Sequence, residues 1–385
     1  MKLIRILLGL IALIIVAVGS NATDTPISAL DQPDNGTSVV FVFDRDFAPF
    51  TYEENGSSYG FELDLLRLLG EEEGFHVIPR PMIRTDAQLS FLNGDADVIG
   101  GLVKTEERQK QYNFTARPHG TLDIQTFVRT DSDIRSASML PGRKVAVQNG
   151  SVSLALLKNQ SGVQVRSYDS ESEGLQALLR GDADAFVGGG STTSFRIKQQ
   201  NISGIRVLAM PWEMHNLYFG VRDAKLLQSL DRGLEKLMAD GRYDQVFRRW
   251  FVQELDESEI SALVNASRQA SHNAYAPYSR YPVGAAVLTA SGRIYTGSNV
   301  ENALYSLSAT ALKVAIFKAI SEGDGGNIRA TVTSLPDGRA DAPTGEERQI
   351  LFEFDRGILA ILGAEGNYTT KTVSEIFPYP FEMRD

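Results

Sequence analysis

Along residues 38–252, short continuous apolar runs alternate with segments whose apolar residues are spaced as on one face of a helix. Each of these two patterns predicts one type of element. Short runs rich in β-branched and aromatic residues, of which 39–43 is the first, predict strands buried on both faces of a parallel sheet. Segments such as 61–69 and 224–238 carry apolar residues at helical spacing. Strands that alternate with helices predict an α/β fold for this part of the chain.

A helix, glycine and strand pattern occurs twice. In residues 92–101 and again in 179–189, a helix-like segment ends at a glycine, and a short apolar strand then runs into paired glycines. Glycine readily takes the left-handed conformation that ends a helix. Many α/β proteins use this punctuation, but two such copies in one chain favour two similar lobes.

The first residues have the layout of a secretory signal. Two positive charges within residues 1–5 precede the apolar run 6–18, and small polar residues follow it. The run of about 13 residues is shorter than the roughly 20 that a membrane-spanning helix needs. Residues 1–22 are predicted to be a signal peptide or an N-terminal anchor, and 23–37 a linker. We expect a protein exported to the periplasm or cell surface that meets the membrane only through this segment.

Composition narrows the classes of partner. A chain of 385 residues is long enough for two or three domains. Its 38 Lys and Arg against 48 Asp and Glu give a net charge of −10, which disfavours phosphate backbones, so nucleic acid is not an expected partner. The chain has no cysteine, so disulfides and thiolate metal ligands are both excluded.

Six separated segments carry a resemblance to a known family, and they are residues 46–50, 60–65, 94–98, 105–108, 141–151 and 243–251. Through them, residues 38–252 resemble the extracellular solute-binding proteins of family 3, which serve amino-acid importers and some sensor proteins. The resemblance implies the periplasmic-binding-protein fold, in which two lobes close on a ligand. We expect the chain to cross between the lobes near 125–128 and 218–221.

The resemblance also implies which residues hold the anionic part of a ligand. Arg108 matches the family arginine that binds a carboxylate, and a guanidinium suits this role because it donates two parallel hydrogen bonds. The alternative for Arg108 is a surface ion pair with Glu106 or Glu107. Gly150 and Ser151 would present an N–H group and a hydroxyl to the same anion.

The remaining walls of this predicted site are apolar or small. Phe47 and Phe50 would supply the apolar wall, unless they belong to the core, and Gly101 would line the site. Amino-acid binders of the family place an acidic residue shortly after the second repeat to pair with the ligand's ammonium group, whereas residues 184–190 run into glycines. A carboxylate or another small polar solute is therefore as good a candidate as a standard α-amino acid.

A second resemblance is carried by residues 274–286, 294–303, 309–320 and 373–381. Through them, residues 258–385 resemble the cytidine deaminases. This resemblance implies an α/β/α sandwich, in which one sheet lies between layers of helices.

Deamination in that family needs zinc held by Cys or His ligands, with a glutamate that moves protons. In this chain Thr310, Thr344 and Glu347 stand at the ligand positions. Leu312 stands at the position of the glutamate. Because hydroxyls and a single carboxylate are poor substitutes for thiolates, we expect no metal, no cofactor and no catalysis, and we predict that the chain is not an enzyme.

The sugar side of the family's pocket is better retained. Asn299 and Glu301 match residues that hydrogen-bond the ribose, unless they serve only as internal structural groups. Ala303 and Tyr305 match positions that meet a neighbouring subunit, so a homo-oligomer through this domain is expected.

The sequence as a whole predicts an exported receptor. Its first domain would capture a small polar or carboxylate-bearing, amino-acid-like solute for an ABC-transporter permease or a membrane sensor. Its second domain would serve oligomerisation or nucleoside binding. The alternative is an exported nucleoside deaminase whose substrate is delivered by the first domain.

Overall fold

The computed structural model describes residues 37–208, 212–324, 328–364, 366–377 and 380–381. The predicted signal peptide or anchor and most of the predicted linker lie outside these residues. Among the helices that are described, none is long and apolar enough to cross a membrane.

The first domain alternates strands and helices. Its strands are β1 (Thr37–Asp44), β2 (Asp46–Phe47), β3 (Thr51–Glu54), β4 (Ser57–Tyr59), β5 (Phe75–Met82), β6 (Val98–Val103), β7 (Asn113–Phe114), β8 (Gly120–Arg129), β9 (Lys144–Gln148), β10 (Gln164–Tyr168), β11 (Ala185–Gly189), β12 (Ile205–Val207) and β13 (Glu213–Val221). Its helices are α1 (Phe61–Glu73), α2 (Arg84–Asn93), α3 (Glu106–Gln109), α4 (Val152–Lys158), α5 (Glu171–Arg180), α6 (Gly190–Gln199), α7 (Ala224–Ala239) and α8 (Arg242–Phe251).

One sheet runs through the first domain in the order β10-β9-β11-β8-β13-β6-β1-β5, with β12 beside β8 and β7 beside β13. β1 pairs in parallel with β5 and β6, and β9 pairs in parallel with β10 and β11. The first parallel group forms lobe 1 (residues 37–119 and 218–251), and the second forms lobe 2 (residues 120–217). The predicted α/β fold with two lobes is confirmed.

The repeated sequence pattern has the same structural role in each lobe. Gly94 and Gly181 take the left-handed conformation that ends α2 and α5, with φ of 98° and 83°. The second aspartate of each copy then accepts a hydrogen bond from a backbone N–H of the neighbouring strand. The Asp97 carboxylate accepts a hydrogen bond from a β1 amide at 2.8 Å, and the Asp184 carboxylate accepts one from a β9 amide at 2.9 Å.

Two antiparallel strands, β8 and β13, join the lobes. They pair with each other over residues 120–124 and 213–217. Beyond that segment β8 pairs with β11 and β12 in lobe 2, whereas β13 pairs with β6 and β7 in lobe 1. The predicted crossings near 125–128 and 218–221 lie on these strands but just past the joining segment, because each of those stretches already belongs to one lobe.

The second domain places a sheet between layers of helices. Its elements in chain order are α9 (Glu257–Ser271), β14 (Gly284–Thr289), β15 (Ile294–Ser298), α10 (Ala311–Ser321), β16 (Ile328–Ser334), β17 (Ala340–Asp341), α11 (Gly345–Phe354), β18 (Leu359–Ala364), β19 (Asn367–Thr372) and α12 (Val373–Ile376). The strand order is β15-β14-β16-β17-β18-β19. Ala285 and Val287 pack with α10 and α11, and Ala286 and Leu288 pack with α9 on the opposite face. The predicted sandwich is confirmed.

Polar caps set where two of the helices begin. The Ser170 hydroxyl accepts from the Glu173 N–H, so α5 begins at Glu171. Thr310 likewise caps α10, which begins at Ala311. The start of α5 places Glu171 in its first turn.

Helix α8 connects the two domains, which belong to one compact unit. Arg248 donates a hydrogen bond to the Thr370 hydroxyl at 2.7 Å and forms an ion pair with Glu375 at 3.2 Å. Val252, directly after α8, packs against apolar clusters of both domains. On its lobe 1 side, α8 brings Phe251 to within 5.2 Å of Phe61, measured between ring centroids.

Candidate ligand-binding site

A small cavity lies between the lobes, and it receives side chains from both. Its volume is about 10 Å³, which is room for about one water molecule. Its walls combine charged, aromatic and small residues, namely Phe47, Arg84, Gly101, Val103, Arg108, Leu122, Gln148, Ser151, Val152, Ser153, Glu171 and Gly189.

Arg108, on α3, reaches from lobe 1 to lobe 2. Its guanidinium donates to the carbonyl oxygen of Val103 at 3.1 Å and to that of Gly150 at 3.0 Å. Burial, together with the nearby Arg84 guanidinium, lowers the pKa of Arg108 to about 10, so the group is charged at neutral pH. Within the described residues no carboxylate forms an ion pair with Arg108. The surface ion pair that the sequence left open is therefore not formed.

Arg84, the first residue of α2, ties the two lobes together. It is 7% exposed, and its Nε lies 3.0 Å from the Asp44 carboxylate and donates to the Gln148 side-chain oxygen at 3.0 Å. The Gln148 amide in turn donates to Asp44 at 2.7 Å. Asp44 and Arg84 belong to lobe 1 and Gln148 to lobe 2, so this network holds the cleft closed.

Glu171 brings a buried carboxylate to the cavity. Its Oε1 accepts from the Gly189 N–H at 3.1 Å, whereas its Oε2 has no hydrogen-bond partner among the residues that the structure describes. Burial raises the pKa of Glu171 to about 7, and the Thr192 hydroxyl and the Arg196 guanidinium offset this only in part. A buried carboxylate oxygen without a partner favours a ligand that brings a hydrogen-bond donor.

The two phenylalanines singled out in the sequence have different positions. Phe47 lines the cavity, and the Arg84 guanidinium lies 4.7 Å from its ring centroid. Phe50 stacks behind Phe47 at 5.2 Å and contacts Phe251, so it belongs to the core. Gly101 lies against Phe47, where an added Cβ would meet the ring at 3.3 Å.

The predicted anion donors of lobe 2 are largely engaged within the protein. The Ser151 hydroxyl donates to the Gln148 carbonyl oxygen at 2.7 Å and accepts from the Leu154 N–H at 3.2 Å, which caps α4. Gly150 lies beside the cavity, and its carbonyl oxygen accepts from Arg108. Contact of Gly150 or Ser151 with a ligand stays a prediction.

A second group of contacts closes the cleft farther along β2. The Asp46 carboxylate accepts from the N–H and the hydroxyl of Ser172, at 2.8 and 2.9 Å. It also forms an ion pair with Arg196 at 2.8 Å. Asp46 belongs to lobe 1 and both partners to lobe 2, so these contacts form a second connection between the lobes.

In the second domain, the residues at the expected zinc position cap helices. The Thr344 hydroxyl and the Glu347 carboxylate form a reciprocal capping box at the start of α11, and Thr310 caps α10. Leu312 is fully buried in the apolar core. No group of three or more His, Cys, Asp or Glu side chains is placed to hold a metal in the described parts of the chain. These residues do not fit zinc.

Asn299 and Glu301 both hold the loop that precedes β14. The Asn299 side chain accepts from the Val283 N–H at 2.9 Å and donates to the Tyr281 carbonyl oxygen at 3.0 Å. The Glu301 carboxylate accepts from the N–H groups of residues 278 and 279 at 2.9 and 3.1 Å. A hydrogen bond with the Ser279 side chain, and after it these backbone hydrogen bonds, lower the pKa of Glu301. Both residues thus serve as structural polar groups, and their contact with a ribose stays a prediction.

Comparison with known proteins gives two families. A family model described as bacterial extracellular solute-binding proteins, family 3, matches residues 39–253, and one described as cytidine and deoxycytidylate deaminase zinc-binding region matches residues 226–333. The cytidine deaminase of Sporosarcina psychrophila is 35% identical over 129 residues, which are 33% of this chain and 94% of that protein. The chain belongs to the family-3 solute-binding proteins and, through its C-terminal domain, to the cytidine deaminases.

The solute-binding domain has further relatives. The L-cystine-binding protein TcyJ of Escherichia coli (strain K12) is 24% identical over 253 residues, which are 64% of this chain and 94% of that protein. A solved structure of an ancestral arginine-binding protein bound to arginine has a TM-score of 0.53 and 30% identity, and the match covers 56% of this chain and 98% of that one.

The prediction that the chain is not an enzyme is contradicted by the deaminase relatives. Two cytidine deaminases are 35% and 38% identical to this chain, and each match covers 94% of the deaminase. Likeness of this extent points to enzyme activity. The capping roles of Thr310, Thr344 and Glu347 concern the fit to zinc alone and are not evidence of inactivity.

Sequence reasoning missed the residues that give the solute-binding cleft its charge pattern. Glu171 places a carboxylate at the cavity, and it comes from the first turn of α5 and not from the residues after the second repeat. Arg84 and Gln148 are 64 positions apart and meet only across the cleft. The one local signal was the Ser-x-x-Glu capping pattern that begins at Ser170 and brings Glu171 into the first turn.

The raised pKa of Glu171 predicts a stability that depends on pH. An unfolded glutamate loses its proton near pH 4.5, whereas Glu171 in the folded protein keeps its proton until about pH 7. Between these values the folded state binds more protons, so its stability falls as pH rises. We expect the unfolding free energy of the wild type to fall relative to Glu171→Gln by roughly 3 kcal/mol between pH 4.5 and 8.

Urea unfolding of both proteins without ligand, at pH values across this range, measures the difference. Glu173→Gln is the matched control, because Glu173 is an exposed carboxylate on the same helix turn. Parallel stability curves for the wild type and Glu171→Gln would contradict the burial of an ionisable Glu171.

The capping box at α11 predicts a deaminase-like domain whose fold does not depend on metal. We expect Thr344→Ala to lower the unfolding free energy by about 1 kcal/mol, because a helix N-terminus loses its side-chain acceptor. Thr344→Ser keeps the oxygen and should stay close to the wild type. Thermal unfolding of the wild type should have the same midpoint with EDTA and with added zinc, and a rise of several degrees with zinc would show that the domain binds it.

Proposed function

We propose that the cleft between the lobes captures a small amino-acid-like solute, held by its carboxylate at Arg108 and by its ammonium group at Glu171. The single observation that carries the proposal is the pairing of these two groups in one cavity. Within the described part of the chain, the Arg108 guanidinium is charged and hydrogen-bonds only to carbonyl oxygens, and the buried Oε2 of Glu171 has no hydrogen-bond partner.

The charges around the cavity support a zwitterionic ligand. Arg84 and Asp44 neutralise each other at 3.0 Å, so their pair leaves no net charge for a ligand to balance. Arg108 and Glu171 then remain as one positive and one negative group on the same cavity. Buried charges are costly unless they are paired, so a ligand that pairs both groups stabilises the closed cleft.

Relatives of the solute-binding domain support the same class of ligand. The similar proteins are described as binding L-cystine and arginine, which are both amino acids. We propose that this chain is exported and hands its solute to an ABC-transporter permease or signals through a membrane sensor, as the sequence also predicts. Anchoring by the N-terminal segment concerns residues outside the described part of the chain and stays a prediction.

Replacement of Arg108 tests the proposal. We expect Arg108→Gln to weaken binding of a small amino acid by about 30-fold or more, because the carboxylate loses a charge-assisted, two-pronged partner. Isothermal titration calorimetry of the whole chain at pH 8, where Glu171 is ionised, measures the affinity. Arg117→Gln is the control, since Arg117 forms an exposed ion pair with Glu235 in lobe 1 and should leave binding unchanged. Equal affinity in wild type and Arg108→Gln would refute this role.

For the C-terminal domain we propose self-association through an exposed apolar surface. Its residues precede β14 or follow β15, and the two segments meet where Tyr275 pairs with Val300. The exposed aromatic or branched side chains are those of Tyr275, Tyr278, Tyr281, Val300, Leu304, Tyr305 and Leu307. Tyr305 is 76% exposed and Leu307 66%. A cluster of this kind on a soluble domain favours contact with another protein surface. Because Tyr305 also matches a subunit-contact position of the deaminases, the partner we propose is a second copy.

Charge placed on this surface should separate the copies. We expect the wild type to sediment as a dimer or larger assembly, and Leu304→Glu/Tyr305→Glu to sediment as a monomer, because carboxylates cannot be buried unpaired at the contact. Analytical ultracentrifugation measures both. Leu89→Glu, at an exposed apolar residue of lobe 1, is the control. A wild type that stays monomeric at high concentration would end the proposal.

The deaminase relatives favour a second candidate function, which is a reaction of the C-terminal domain on a nucleoside. The residues at the zinc position cap helices and do not fit zinc. Release of ammonia from cytidine by the purified whole chain is the direct assay. Ribose recognition by Asn299 and Glu301 belongs to this candidate.

A further inference from the structure

Arg84 is held in the cleft by the same kinds of group that would hold the cationic side chain of a ligand. Its guanidinium lies 4.7 Å from the centroid of the Phe47 ring, an aromatic face that attracts cations. The Asp44 carboxylate lies 3.0 Å from its Nε, and the Gln148 side-chain oxygen accepts from the same nitrogen at 3.0 Å. The Gly101 carbonyl oxygen accepts from Nη1 at 3.3 Å.

These partners come from both lobes, as the partners of a captured ligand would. Asp44 and Gly101 belong to lobe 1, whereas Gln148 belongs to lobe 2. All of them are buried, and Arg84 itself is only 7% exposed. The cavity in which the zwitterion would lie has a volume of about 10 Å³, and Arg84 lines it together with Arg108 and Glu171. The space next to that position is therefore filled by the protein's own side chain.

We propose that Arg84 is a specificity-determining residue that occupies the side-chain end of the cleft, so that the cleft accepts α-amino acids with side chains as small as those of glycine, alanine and serine. The inference rests on the proposed function and adds the size class of the ligand. It also implies that removal of Arg84 creates a subsite for a cationic side chain.

A second cavity explains why the enlarged site would prefer a cation. It has a volume of about 310 Å³, within the range of small-molecule pockets, and its lining has one cationic residue, Arg45, against five acidic ones, Asp44, Asp46, Glu53, Asp169 and Glu173. Asp44 lines this second cavity, and its ion-pair partner Arg84 lines the first. Truncation of Arg84 thus removes the cation that neutralises Asp44, a carboxylate of this second cavity.

The alternative is that Arg84 serves only to hold the lobes together. In that case truncation would weaken the binding of every amino acid alike, because closure would be impaired for all of them. A specificity role instead changes the order of preference between ligands, and this difference separates the two roles.

The experiment is calorimetric titration of the whole chain with glycine, L-alanine and L-arginine at pH 8. For the wild type we expect glycine or alanine to bind about 100-fold more tightly than arginine, since a buried side chain blocks the longer ligand. For Arg84→Ala we expect arginine to become the preferred ligand. Arg84→Lys keeps a cation in the subsite and should keep the wild-type preference.

A second variant tests whether Asp44 is the group that would bind the cationic side chain of the ligand. Asp44→Asn/Arg84→Ala removes the carboxylate that would receive the ligand's cation, and we expect it to lose the gain in arginine binding. Methylguanidinium should restore glycine binding to Arg84→Ala if it enters the space left by the side chain. Circular dichroism of each variant establishes that it is folded before titration.

The outcomes distinguish this inference from the proposed function. If no amino acid binds to the wild type, the proposed function fails and the inference with it. If the wild type binds arginine as tightly as alanine, the size limit is wrong while capture of amino acids stands, and this result needs no variant. If Arg84→Ala loses all ligands equally while folded, Arg84 only holds the lobes together.

Discussion

Charge balance inside the closed cleft is the constraint on which the rest of the first domain depends. Arg84, Asp44 and Glu171 are each at least nine-tenths buried, and Arg108 points into the same cavity. Removing one partner of a buried ion pair typically costs about 3–5 kcal/mol, so Arg84 and Asp44 must stay together. Among the described residues neither Glu171 nor Arg108 forms an ion pair, and a zwitterion would give each of them a partner. Closure and ligand capture are in this sense the same event, because the lobes bury these groups at lowest cost when the ligand is present.

The second domain packs against lobe 1, which contributes the aromatic residue Phe47 to the cavity. Helix α8 presents Arg248 to Thr370 and Glu375 on one side and the rings of Phe247 and Phe251 to lobe 1 on the other. Phe251 in turn contacts Phe50, directly behind the cavity-lining Phe47. The two domains therefore share a continuous packed region. Caps made by hydroxyl and carboxylate side chains occupy the helix ends where the deaminase family places zinc, and they satisfy backbone groups there without a metal.

Local patterns were enough to predict the fold, and long-range contacts explain what they missed in the site. Buried runs such as 39–43, and the glycines that end α2 and α5, act over a few residues and predicted both lobes correctly. Arg108 was found because its motif is local. Arg84 and Glu171 are distant in the chain from the groups they meet, and they become neighbours only when the lobes close. The sequence pattern offered no carboxylate after the strand of the second repeat, whereas Glu171 brings one to the cavity from a capped helix start. The prediction that the chain is not an enzyme rested on four positions, 310, 312, 344 and 347, and not on the similarity of the whole domain to the deaminases.

A crystal structure of the whole chain grown with glycine or L-alanine at pH 8 tests the central claim most directly. The account predicts ligand density between the lobes, with the carboxylate within hydrogen-bond distance of Arg108 and the ammonium nitrogen within hydrogen-bond distance of Glu171 Oε2. Density for the amino acid elsewhere, or a closed cleft in which Glu171 Oε2 meets only protein atoms while the ligand is bound, would contradict it.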